Sequence, residues 1–139
     1  MYRVLLLCVV LFSHTVFAEC HCQHKKKQND NLCDFQSGYC LKESVKLKIS
    51  PENAPSETWL TAQVVLPDNY RILKAHVEGR DMFMGYIPVQ FDDDLVGRFR
   101  YGSCSSGYMV WKLVLKVQKD NLSSEIIEFE WLADVKNDI

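Results

Sequence analysis

The chain has 139 residues, 47% of them hydrophobic and 24% charged, with six cysteines and a formal net charge of −2 at pH 7. That length holds one domain around one modest core. The near-balanced charge leaves no broad positive field, so no nucleic-acid partner is expected.

Met1-Tyr2-Arg3 gives a short positive end, an apolar run follows, and Val16-Phe17-Ala18 presents the kind of residues a signal peptidase reads. Residues 1–18 are therefore read as a secretory signal, with cleavage expected after Ala18. The apolar stretch over residues 4–16 is interrupted by Ser13, His14 and Thr15 and is shorter than the roughly 20 residues that cross a bilayer as a helix. A retained anchor is the lesser alternative, and no stable membrane insertion is expected once the signal is removed. Glu19, directly before Cys20, argues against lipidation there. Losing the first 18 of 139 residues leaves 121, with fifteen Lys and Arg against eighteen Asp and Glu. The expected address is the periplasm or the extracellular space.

Residues 19–43 read as a Cys-rich N-terminal arm. Cys20, Cys22, Cys33 and Cys40 crowd into it among polar residues, and Lys25-Lys26-Lys27 reads as a solvated loop. In an oxidising compartment these four cysteines are disulfide candidates for two bridges, with a direct Cys20 to Cys22 bond disfavoured by strain. Cys104 stands alone more than sixty residues later, and its proximity to nothing else favours it as the unpaired thiol. Against a ligand role for that thiol stand two alternatives, a bridge from Cys104 to the arm and a buried free thiol. A mature start at Glu19-Cys20-His21 would also place a histidine third, a pattern that can encircle Cu(II), with Cys22 and His24 beside it; structural disulfides are the simpler use of these cysteines.

From residue 44 to about 135 the apolar period becomes two. Val45, Leu47 and Ile49 alternate with polar residues up to Pro51, where residues 51–57 have room for one helical turn. Leu60, Ala62, Val64 and Leu66 alternate up to Pro67-Asp68-Asn69, and Leu73, Ala75 and Val77 up to Glu78-Gly79. Further strands are expected over residues 82–90, 97–101, 108–118 and 125–132. Met109, Trp111, Leu113, Leu115 and Val117 make the clearest core face. Seven short strands without a long helical period predict an all-β fold, a two-sheet antiparallel β-sandwich of immunoglobulin-like type; a small barrel is the alternative.

The chemistry that stands out is sulfur. Met82 and Met84, two apart on an expected strand, share a face. Cys104 sits in a Gly-Ser-Cys-Ser-Ser-Gly turn, and Met109 opens the core strand. Soft thioethers and a thiolate suit Cu(I) far better than a hard cation, so Met82, Met84, Cys104 and Met109 are expected to converge as a copper site. Against this stands the ordinary role of methionine as a gap-filler among rings such as Phe83, Tyr86, Tyr108 and Trp111. His76 is a nearby histidine, but its strand parity turns it away from Leu73, Ala75 and Val77. Asp92, Asp93 and Asp94 read as a turn rather than a calcium loop. Ser105 or Ser106 with His76 resembles no nucleophile turn, and no enzymatic activity is expected.

The segments Ala75-His76-Val77-Glu78-Gly79, Met82-Phe83-Met84-Gly85-Tyr86-Ile87-Pro88-Val89, Gly102-Ser103-Cys104 and Tyr108-Met109-Val110-Trp111 together resemble small periplasmic β-sandwich proteins of the FixH-like and YtkA-like kind, over roughly residues 60–131. That resemblance implies work near respiratory-oxidase and copper-handling functions. Taken with the sulfur residues, the expected function is that of an exported copper-binding protein that delivers copper to, or protects, an envelope protein partner. The alternative reading is a non-enzymatic interaction module, such as a small subunit of an envelope complex.

Overall fold

A computed structural model describes residues 31–103, 109–120 and 123–133. Among these residues eight strands form two antiparallel four-stranded sheets. The first contains β1 (Cys40–Lys42), β2 (Val45–Ser50), β3 (Leu60–Val65) and β6 (Val96–Phe99), in the order β1-β2-β3-β6. The second contains β4 (Tyr70–Gly79), β5 (Ile87–Pro88), β7 (Met109–Lys119) and β8 (Ser124–Ala133), in the order β5-β4-β7-β8. No α-helix is present among the described residues, and none of their helical segments is long and apolar enough to cross a membrane.

Alternation decides which way each strand faces. Val45, Leu47 and Ile49 of β2 are fully buried, as are Leu60 and Ala62 of β3. Across from them lie Leu113, Leu115 and Val117 of β7 and Ile127, Phe129 and Trp131 of β8. These inner faces join into one core between the sheets. At one end it becomes aromatic: Tyr101 stacks on Trp111 at 4.4 Å between centroids, and Phe35 and Phe99 lie 6.0 and 6.2 Å from Trp131. Trp111 Nε1 is buried there without a hydrogen-bond partner among the described residues, but the polar atoms of Trp131 and Tyr101 are served in a chain. Trp131 Nε1 donates to the Tyr101 hydroxyl at 3.0 Å, and that hydroxyl donates to the Ala54 carbonyl at 2.5 Å, which removes the cost of burying them unpaired.

Part of the expected arm belongs to the sandwich. A 3-10 turn at Phe35–Ser37 follows Asp34, whose carboxylate accepts from Gln36 N–H, and it seats Phe35 in the core. Cys33 is bonded to Cys40, and its N–H donates at 2.7 Å to the Glu130 carbonyl on β8. Residues 33–42 therefore span from the edge of the second sheet to the edge strand of the first. The boundary expected before Ser44 falls inside the β1–β2 hairpin, whose two turn residues, Glu43 and Ser44, have φ of 46° and 72°. Two positive φ values suit a two-residue hairpin turn; with neither asparagine nor glycine there, no turn signal marks it in the sequence. Cys20 and Cys22 lie outside the described residues. Removing the Cys33–Cys40 bridge with a C33S/C40S variant is expected to cost about 2 kcal/mol, since the closed loop is short; urea unfolding of oxidised and variant protein measures it.

Three other expectations are corrected. Leu73 does not share a face with Ala75 and Val77: Ile72 pairs with Val117 and Lys74 with Lys116, which leaves Leu73 as the extra residue of a β-bulge, 45% exposed. Of the strand expected over residues 82–90 only Ile87–Pro88 forms a strand, with Val89 N–H adding one bond to the Ala75 carbonyl at 3.1 Å; Gly85, with a positive φ of 87°, turns the chain before it. Residues 51–57 form turns rather than a helical turn, with positive φ at Ala54 and Glu57. The aspartate cluster is the turn it resembled: Asp92 Oδ1 accepts from the N–H groups of Asp94 and Val96 at 3.1 and 2.8 Å.

Candidate functional site

The outer face of the second sheet collects side chains that the core does not use. Registers place His76 of β4 beside Val114 of β7 and Glu128 of β8; one pair further along, Glu78, Lys112 and Glu130 lie abreast, and in the other direction Lys74, Lys116 and Ile126. Lys112 Nζ reaches Glu78 at 3.0 Å and Glu128 at 3.1 Å, and Arg80 reaches Glu130 at 3.3 Å, so a belt of paired charge crosses the sheet. Partial burial disfavours the Lys112 ammonium, but its hydrogen bonds to Glu78 and Glu128 outweigh that cost and raise its pKa above the ordinary lysine value.

Beside the belt the face turns apolar. Val114 is the nearly buried floor of a shallow depression of about 690 Å³ that Tyr86, Pro88 and Ile126 border, with Lys74, His76 and Glu128 at its rim. The loop of residues 80–86 builds one side. Phe83 packs edge-on to Tyr86 at 5.2 Å, and Tyr86 packs edge-on to the His76 ring at 5.0 Å. Phe83, Tyr86 and Ile126 are 69%, 64% and 61% exposed. His76 Nε2 lies 3.7 Å from Glu78. An aromatic and aliphatic patch rimmed by fixed charges can bind a complementary surface; it offers no nucleophile held by a base.

The expected sulfur residues are distributed as follows. Met109 is buried at the start of β7, paired with Ala133, and its Cε fills the space over Gly79. The backbone carbonyl of Met82 approaches the same point, so residue 82 and the Met109 tip are neighbours. Met82 and Met84 sit in the loop rather than on a strand and are partly exposed. Their expected shared strand face is therefore not the basis of any convergence. Cys104 lies outside the described residues, as do His21, His24, Ser105 and Ser106. Among the described residues no three His, Cys, Asp or Glu side chains gather as a metal-ligand set.

No family model, curated protein or solved structure matches the chain. Sequence reasoning passed over the outer patch, although a signal was present: Val110, Val114, Ile126 and Leu132 occupy outward positions of β7 and β8 where a solvated face would carry polar residues.

Proposed function

We propose that the protein is an exported, non-catalytic interaction module that binds an envelope or extracellular protein through the outer face of β5-β4-β7-β8. The observation that carries this reading is the continuity of Phe83, Tyr86, Val114 and Ile126 beside the Glu78–Lys112–Glu128 belt. Apolar anchors at the centre of such a face supply affinity, and the fixed charges around them select orientation. The disulfide fits an oxidising compartment. The strand order, with β2-β3-β6 opposite β5-β4-β7-β8, supports an immunoglobulin-like topology. A photo-crosslinking residue placed at position 126 is expected to give a discrete protein adduct in producing cells, and one placed at position 48, on the other sheet, is not. Tyr86→Ala should weaken that complex by on the order of 2 kcal/mol. Equal adducts from both faces, or none from position 126, would sink the proposal.

A second reading, a Cu(I) site for copper delivery or protection, is favoured by the approach of residue 82 to the Met109 tip over Gly79, with Met84 two residues on and partly exposed. Thioethers in that loop are soft donors for a soft ion. Competition of reduced protein with a Cu(I) chelator tests it: Cys104→Ser is expected to weaken binding most, and Met82→Leu or Met109→Leu less. Equally weak binding by wild type and Cys104→Ser removes this reading and leaves the interaction module standing.

A further inference from the structure

The outer face of the first sheet, on the opposite side of the sandwich, carries charge of the opposite sign to the chain as a whole. Thr61 pairs with Arg98, so Trp59 and Arg100, one step further along the two chains, share the same outward side. The guanidinium carbons of Arg98 and Arg100 lie 5.3 and 5.7 Å from the centroid of the Trp59 indole, which is itself 57% exposed. Contact with an indole holds a guanidinium in place without neutralising it. Neither arginine pairs with a carboxylate among the described residues. Along the same face the register continues from Arg98 through Thr61 to Ser50, and Gln63 leads to Lys48, with Lys46 beyond. The carboxylates nearby are few. Glu52 lies 3.8 Å from Lys48, and Glu57 accepts from the Ser103 hydroxyl at 2.7 Å and borders Arg100.

We propose that this face, centred on Trp59, Arg98 and Arg100, binds an anionic polysaccharide. The two pre-positioned guanidiniums supply the planar donor forks that suit sulfate or carboxylate groups. Between them and the β2 lysines lie Ser50, Thr61 and Gln63, neutral hydrogen-bonding side chains that match sugar hydroxyls. With two guanidiniums against the indole, its ring is not the open platform on which single-stranded nucleic acid stacks its bases. The site shares with the reading above only the export of the chain, which places it among extracellular polymers, and its test does not depend on the protein-binding face.

The test uses purified full-length chain, with dextran sulfate and polygalacturonate as separate probes of sulfate and carboxylate recognition. At least one polymer is expected to bind, more weakly as salt rises, and R98Q/R100Q should reduce that affinity on the order of tenfold. K74Q/K116Q removes the same charge from the opposite sheet and should leave binding unchanged. Trp59→Leu should weaken it by releasing the arginines, with an unchanged unfolding midpoint showing that the fold persists. Failure of both polymers to bind at low salt overturns the proposal. So does equal loss in K74Q/K116Q, or equal or tighter binding of oligothymidylate or phosphatidylglycerol vesicles, which would mark the face as a general polyanion sink or as a site for another class of partner.

Discussion

Trp131→Ala is expected to destabilise the protein by about 3–5 kcal/mol. The side chain is 1% exposed and lies among Phe35, Phe99 and Tyr101, which come from the N-terminal strap, the first sheet and the segment after it. Its loss opens a cavity that these rings cannot close together, since each is tied to a different element. It also removes the Nε1 donor to the Tyr101 hydroxyl. Small domains have a total stability of about 5–15 kcal/mol, so the variant should unfold at a much lower urea concentration. Trp131→Phe keeps most of the ring volume and is expected to cost clearly less. Equal midpoints for wild type and Trp131→Ala would mean that this aromatic cluster does not hold the sheets together.

Gly79→Val is expected to cost about 3 kcal/mol, at the upper end for overpacking, and to move the loop of residues 80–86. A Cβ on residue 79 would stand 2.0 Å from Met109 Cε and 2.2 Å from the Met82 carbonyl oxygen. The methionine tip can swing away, but the carbonyl is backbone, and Arg80 N–H is already committed to the Val110 carbonyl at 2.9 Å. Phe83 and Tyr86 ride on this loop, so the substitution separates packing from recognition. The fold should persist at reduced stability while the adduct from position 126 is lost. Met109→Ala in the same background should restore part of the stability if the methionine tip is half of the clash, and denaturation of the pair measures that restoration.

The two outer faces divide the surface chemistry between them. The second sheet presents apolar rings beside internally paired charge, which suits a protein surface that excludes water from its centre. The first presents lysines, and arginines with no carboxylate partner among the described residues, beside hydroxyl and amide groups, where attraction is longer in range and falls with salt. Both faces rest on one core; Tyr86→Ala, Trp59→Leu and R98Q/R100Q change exposed side chains and leave the buried residues in place.

Much of the sandwich is legible in the chain because a strand with one buried face must alternate. Val45, Leu47 and Ile49, then Leu60, Ala62 and Val64, then Trp111, Leu113, Leu115 and Val117 announce their inward sides by period alone. The turns at Pro67-Asp68 and at Asp92–94 are written in residues that favour turns. Where the alternation is locally broken, reading fails. Leu73 keeps the apolar parity of its strand, yet a bulge turns it to solvent, and a bulge is a property of the pairing with β7 rather than of either strand. Residues 82–90 look extended, but a strand exists only where a neighbour exchanges backbone hydrogen bonds with it, and here that is confined to Ile87–Pro88 and to Val89 N–H, which donates to the Ala75 carbonyl.

The sequence by itself determined the all-β class, the inward faces of β2, β3, β7 and β8 and the presence of a Cys-rich segment near the start, because these follow from period and composition within a few residues. Tertiary structure alone decided that residues 33–42 strap the two sheets together, that Met109 lies against residue 82 over Gly79, and that Trp59 meets Arg98 and Arg100. Each of these joins residues far apart in the chain, and which of them meet is set by strand order and register. Those are fixed by the fit of the whole core, which no local stretch of sequence contains.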